Sequence, residues 1–95
     1  MKEKLIAGNW KMYKTPEESV VFLRELTEKV STYPDREVLV CPPYTSLYPA
    51  ATILKNTTIK LGAQNVYFEK EGAFTGEISP VMLKDIGVEY VICGH

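Results

Sequence analysis

The chain has 95 residues, 45% of them hydrophobic and 24% charged, and its 11 basic and 12 acidic side chains leave a net charge of -1. This is the balance of an ordinary soluble globular protein, and not of a disordered or membrane one. With no basic excess there is no footprint for nucleic acid or anionic lipid, so any anionic ligand must be held by a few local groups.

The opening residues Met1-Lys2-Glu3-Lys4 lead into an apolar run far too short for a signal-peptide core or a membrane span, which predicts a cytoplasmic protein with no membrane partner. Leu5-Ile6-Ala7 reads as a first strand, ended by Gly8. Thr15-Pro16-Glu17-Glu18 then starts a helix with an N-cap threonine, a proline at the first helical position and a glutamate that closes a capping box. Phe22, Leu23, Leu26 and Val30 repeat at helical spacing, Glu25 and Lys29 form an i, i+4 charge pair, and Tyr33-Pro34-Asp35 stops the helix. A strand from Glu37 to Cys41, buried on both faces, ends at Pro42-Pro43.

Thr45 or Ser46 is expected to cap a second helix carrying Leu47, Ala50, Ala51 and Leu54, with Pro49 tolerated in its first turn and Asn56 as a left-handed terminator. A third strand spans Ile59 to Gln64. The connection from Asn65 to Ile78, with Gly72, Gly76 and the aromatic Tyr67, Phe68 and Phe74, has neither helical nor strand periodicity and reads as a functional loop. Ser79-Pro80 starts a third helix that Gly87 ends, and Val88 to Cys93 makes a fourth strand. The order β-α-β-α-β-α-β predicts an α/β fold with a parallel sheet.

Cys41 and Cys93 each sit in a strand-like apolar run without a second cysteine nearby, so both are expected to be buried small hydrophobes. No phosphate loop, dinucleotide fingerprint or zinc signature is present. In a parallel sheet the carboxyl ends of all strands share one edge. That edge should collect Asn9, Trp10 and Lys11 after the first strand, Pro42-Pro43 after the second, Asn65 after the third and His95 after the fourth.

Of these, Lys11 offers a compact positive charge for a phosphate or a developing oxyanion, Asn9 a neutral amide donor, and His95 a donor to a carbonyl oxygen or a proton shuttle. Each also has an ordinary alternative: a solvated surface lysine, a turn asparagine, a hydrogen-bonded structural histidine. Trp10 and Met12 are expected to pack, because they flank the polar pair on the opposite side of an extended backbone.

Four blocks resemble the triosephosphate isomerase family: Ala7-Gly8-Asn9-Trp10-Lys11-Met12, Cys41-Pro42-Pro43, Gly62-Ala63-Gln64-Asn65 running into Gly72-Ala73-Phe74-Thr75-Gly76-Glu77-Ile78-Ser79-Pro80, and Gly94-His95. They follow the family's order along the whole chain. The resemblance implies the amino-terminal segment of a (β/α)8 TIM barrel, one partial domain over residues 1–95 with four strands and three helices. It implies an aldose-ketose isomerase that interconverts dihydroxyacetone phosphate and glyceraldehyde 3-phosphate without cofactor or metal, usually as a homodimer.

On this resemblance Asn9 and Lys11 are the substrate-binding pair, Lys11 also acts electrostatically in catalysis, and His95 is the electrophile that polarises the carbonyl. In that family the histidine is itself the standard example of an imidazole kept neutral by a helix N-terminus. Thr75 is the residue inserted into the partner subunit. None of Glu69, Glu71, Glu77 or Glu89 lies in the family's base motif. Barrels of this type run to about 250 residues, of which 95 is roughly two-fifths, so a polypeptide stopping at His95 is expected to lack the base and to be inactive by itself.

Two other readings share the βα alternation. One is a half-barrel assembly module whose unpaired first and fourth strands seek a partner chain. The other is a small flavodoxin-like phosphate binder. Strand order separates them: 1-2-3-4 marks a barrel segment and 2-1-3-4 an open doubly wound sheet.

Overall fold

A computed structural model describes residues 4–32 and 35–94. Tyr33 and Pro34, two of the three residues assigned to stopping the first helix, lie outside the described residues, as does His95. Strands and helices alternate in the order β1 (Lys4–Asn9), α1 (Pro16–Val30), β2 (Arg36–Cys41), α2 (Tyr44–Leu54), β3 (Lys60–Ala63), α3 (Pro80–Asp85) and β4 (Tyr90–Val91). The sheet runs β1-β2-β3-β4 with every pair parallel. Strands taken in sequence with right-handed crossovers put the helices on one face, which is a barrel wall and not the exchanged order of a flavodoxin-like sheet.

The first helix begins as its sequence dictates. Thr15 Oγ1 accepts from the Glu18 backbone N–H at 3.2 Å, and Glu18 Oε1 accepts from the Thr15 N–H at 3.0 Å, so the capping box is closed in both directions. The bond from the Thr15 backbone, then that from its side chain, hold the Glu18 carboxyl below the usual carboxylate range. Leu23 is fully buried, and Leu26 and Val30 pack beside it. Glu25 and Lys29 are exposed and do not pair with each other; Lys60 and Glu89 form an ion pair at 3.6 Å.

The second helix departs from expectation. It starts at Tyr44 after Pro43, with no side-chain cap, and its first turn closes by the Ser46 N–H donating to the Pro43 carbonyl at 2.9 Å. Neither Thr45 nor Ser46 caps it. Ser46 is instead buried one turn in, where Ser19 Oγ donates to Ser46 Oγ at 2.8 Å and ties α1 to α2. Pro49 therefore falls in the second turn, where it has no N–H to return to the Thr45 carbonyl. Asn56 does terminate the helix with φ +66. Ser79 caps α3 by accepting from the Met82 N–H at 3.2 Å, and Gly87 leaves it at φ +91.

Several strand limits also differ: β2 starts at Arg36, and β3 runs only from Lys60 to Ala63, which leaves Gln64 beyond it. Gly8 does not end β1: it pairs opposite Val40, and the strand continues to Asn9 opposite Cys41, since the neighbouring strand keeps supplying partners. β4 is short, although Glu89 N–H donates to the Leu61 carbonyl and Ile92 N–H to the Ala63 carbonyl on either side of it. Among the described residues β4 pairs with β3 alone and β1 with β2 alone, so Leu5 and Ile6 on β1 are 54% and 49% exposed. Cys93, just past β4, is exposed rather than buried for the same reason, whereas Cys41 is buried as expected.

The core lies between helices and sheet, with Leu23, Val40, Leu47, Ala50, Leu54 and Leu61 at its centre. Close packing also fixes Gly62, where a Cβ would come within 2.6 Å of Cys41 Sγ. Burial pushes the Cys41 thiol pKa up, which leaves it a packing group and not a nucleophile.

Thr15→Ala should lower the unfolding free energy by about 1 kcal/mol, read as a lower denaturant midpoint at unchanged slope. Glu18 adds a pH signature. Its folded pKa is depressed, so the unfolded state binds more protons and the carboxylate's stabilisation is present at neutral pH and lost as pH falls through the acid carboxylate range. Wild type and Glu18→Gln should therefore converge in stability toward low pH.

Candidate functional site

The parallel register brings the carboxyl ends of the strands to one edge, and there the chain turns sharply after β1. Asn9 Oδ1 accepts from the Lys11 N–H at 2.9 Å, closing a side-chain-mediated turn. Lys11 itself sits at φ +55, in the left-handed region, at a cost on the order of 1 kcal/mol for a residue with a Cβ. Something must hold it there.

That group is Gln64, directly after β3. Its Nε2 donates to the Lys11 carbonyl at 2.8 Å and to the Cys41 carbonyl at 2.9 Å. The Cys41 carbonyl also accepts from the Trp10 N–H at 3.2 Å. One carboxamide thus fastens the segment after β1 to the end of β2. Asn9, Lys11, Gln64 and Ile92 line a cleft of about 320 Å³ at this edge.

Of the residues selected from the sequence, Asn9 and Lys11 are brought together here. Asn65, the expected contribution of the third strand, is exposed and does not line the cleft; its neighbour Gln64 takes the place. No local pattern marks Gln64, because its partners lie 53 and 23 residues away. Its position immediately after an apolar strand was the available signal. Trp10 packs as expected, edge-on to Phe22 with ring centroids 5.5 Å apart. Met12 does not: it is 93% exposed, because the left-handed turn at Lys11 takes the chain out of the extended geometry that would have laid Met12 against the sheet.

Thr75 stands apart from the cleft, in the exposed run 68–77 of the long connection. That connection has no helix or strand but is ordered: the Tyr67 N–H donates to the Ile78 carbonyl at 2.7 Å across its base. The Tyr67 ring meets Phe68 at 4.6 Å and Phe74 at 4.5 Å. Gly72, at φ +146, lies so close that a Cβ would come within 2.6 Å of the Phe74 ring.

Chemically, the described residues lining the corner offer an ammonium and carboxamide groups and no carboxylate, an arrangement suited to an anion or to negative charge developing on oxygen. Among the described residues no cluster of three or more His, Cys, Asp or Glu could hold a metal, and no helix is long and apolar enough to cross a membrane. A larger groove of about 510 Å³ lies between α2 and the α3-β4 connection, lined by Lys55, Asn56, Asp85 and Glu89 among others. It opens at the opposite, amino-terminal end of the strands, away from the edge where α/β folds gather ligands.

The family model for triosephosphate isomerase matches residues 4–95. Triosephosphate isomerase from Dictyoglomus thermophilum is 58% identical over the whole chain, and that from Carboxydothermus hydrogenoformans 57%. The crystal structure of triosephosphate isomerase from Bartonella henselae superposes with a TM-score of 0.90 at 44% identity, over 99% of this chain and 38% of that one. The chain likewise spans 38% of the length of those two curated relatives.

Gln64→Leu, which keeps the volume and removes both donations, should destabilise the intact protein by about 1–3 kcal/mol. In an NMR spectrum its largest backbone shift changes should fall on residues 9–12 and 41.

Proposed function

The chain belongs to the triosephosphate isomerase family, and from that premise we propose that the intact protein interconverts dihydroxyacetone phosphate and glyceraldehyde 3-phosphate through an enediolate. Its four parallel strands are a segment of a (β/α)8 barrel. The observation that carries the reading is the strained, doubly fastened Lys11 beside Asn9 at the strand ends.

In this reaction a base removes a proton from one carbon of the triose and returns it to the neighbouring carbon. Negative charge builds on the substrate oxygens between those steps. The Lys11 ammonium would neutralise the phosphate and stabilise those oxygens, and Asn9 would bind the substrate from the same turn. His95, at the end of the sequence, would polarise the carbonyl as the electrophile. The base is assigned to none of Glu69, Glu71, Glu77 or Glu89, so it belongs to the part of the family's length that these 95 residues do not span.

The same reading extends to the assembly. The exposed loop carrying Thr75 would insert into a partner subunit of a homodimer, and its aromatic base would keep it in shape for that. The enzyme would act in the cytoplasm, in glycolysis and gluconeogenesis. The bare edges of β1 and β4, which could make the segment an assembly module, are those that further strands would pair in a closed barrel.

Lys11→Met in the intact protein should lower kcat/KM for glyceraldehyde 3-phosphate by at least about 10²–10³-fold, with a nearly unchanged melting temperature because Lys11 is exposed. A polypeptide of residues 1–95 alone should show no turnover above a blank purified in parallel. Activity that survives Lys11→Met would contradict the role given to Lys11.

A further inference from the structure

Segment 10–14 is fastened at a second point that the reaction described above does not use. Lys14 lies at φ +74, the second left-handed non-glycine residue within four positions. Its ammonium sits 4.7 Å from the centroid of the Phe22 ring and 5.9 Å from that of Trp10. Those two rings meet edge to face, and Ser46 Oγ approaches the Lys14 carbonyl at 3.5 Å. Phe22 is 38% exposed on α1, so its ring is not there to fill the core. One end of the turn is therefore pinned by Gln64 at Lys11 and the other by a cation held on an aromatic pair.

We propose that Lys14 and Phe22 are positioning residues for Lys11. Their cation-π contact closes the turn 10–14 onto α1 and so holds the Lys11 ammonium over the phosphate-binding corner. The inference rests on the role proposed for Lys11, and it deepens that role by adding a remote support. Neither Lys14 nor Phe22 lines the 320 Å³ cleft, so both act through the turn and neither touches substrate. An exposed cation-π contact corresponds to roughly a two- to fivefold effect on an equilibrium.

The test uses the intact protein with Lys14→Met, Lys14→Arg, Phe22→Leu and the Lys14→Met/Phe22→Leu double variant, each assayed for kcat and KM with glyceraldehyde 3-phosphate and for competitive inhibition by inorganic phosphate. KM and the phosphate inhibition constant should both rise about two- to fivefold in Lys14→Met and in Phe22→Leu, and kcat should fall by no more than the same factor. The double variant should be no worse than either single one, and Lys14→Arg should restore wild-type values. Hydrogen exchange at the Lys11 amide, read without any substrate, should quicken in the same variants and not in Lys14→Arg.

A rise in KM for Lys14→Met but not for Phe22→Leu would mean that Lys14 attracts phosphate by its charge, and would overturn the proposal. So would a loss of melting temperature with KM, inhibition and exchange all unmoved. Quickened exchange in a protein that has no isomerase activity even as wild type would leave the clamp standing and remove the isomerase reading instead.

Discussion

The carboxamide of Gln64 is the constraint on which this edge of the molecule depends. It donates to the Lys11 carbonyl, two residues past β1, and to the part-buried Cys41 carbonyl at the end of β2, and each such bond contributes about 0.5–1.5 kcal/mol net. With Gln64 in place, Lys11 can occupy a left-handed conformation that its own side chain disfavours. Strain in the backbone is thus exchanged for a fixed direction of the lysine.

That corner exists because of the fold beneath it. Parallel pairing of β1 with β2 and of β2 with β3 sets Asn9 level with Cys41 and carries Gln64, the residue after Ala63, just beyond them at the same edge. Close approach of β3 to β2 requires Gly62, whose absent side chain makes room for the Cys41 sulfur. The buried Ser19–Ser46 hydroxyl pair locks the two helices behind those strands. A change at any of these sites reaches the cleft by shifting strand ends and without touching a ligand.

Much of this was legible in the sequence. Thr15-Pro16-Glu17-Glu18 specified a helix start through local hydrogen bonds alone, and the structure closes both of them. The βα alternation gave the parallel sheet, and Asn9 and Lys11 were located by the rule that strand ends converge. What escaped the reading was long-range. Gln64 has no local signature for its contacts with Lys11 and Cys41. Ser46 looked like a cap and is a buried tie between helices, since only the packing of α1 on α2 reveals a second hydroxyl facing it. Met12 and Cys93 were expected to pack, and the turn at Lys11 and the single-sided pairing of β4 expose them.

The role proposed for Lys11 requires its ammonium to be aimed at a triose phosphate from this corner. A crystal structure of the intact protein with dihydroxyacetone phosphate bound tests that most directly. The ligand should lie in the cleft formed by Asn9, Lys11, Gln64 and Ile92, with the Lys11 Nζ within hydrogen-bond distance of its oxygens, Lys11 still left-handed and the Gln64 hydrogen bonds intact. A ligand bound elsewhere, or in this cleft with the Lys11 ammonium turned away to solvent, would contradict it.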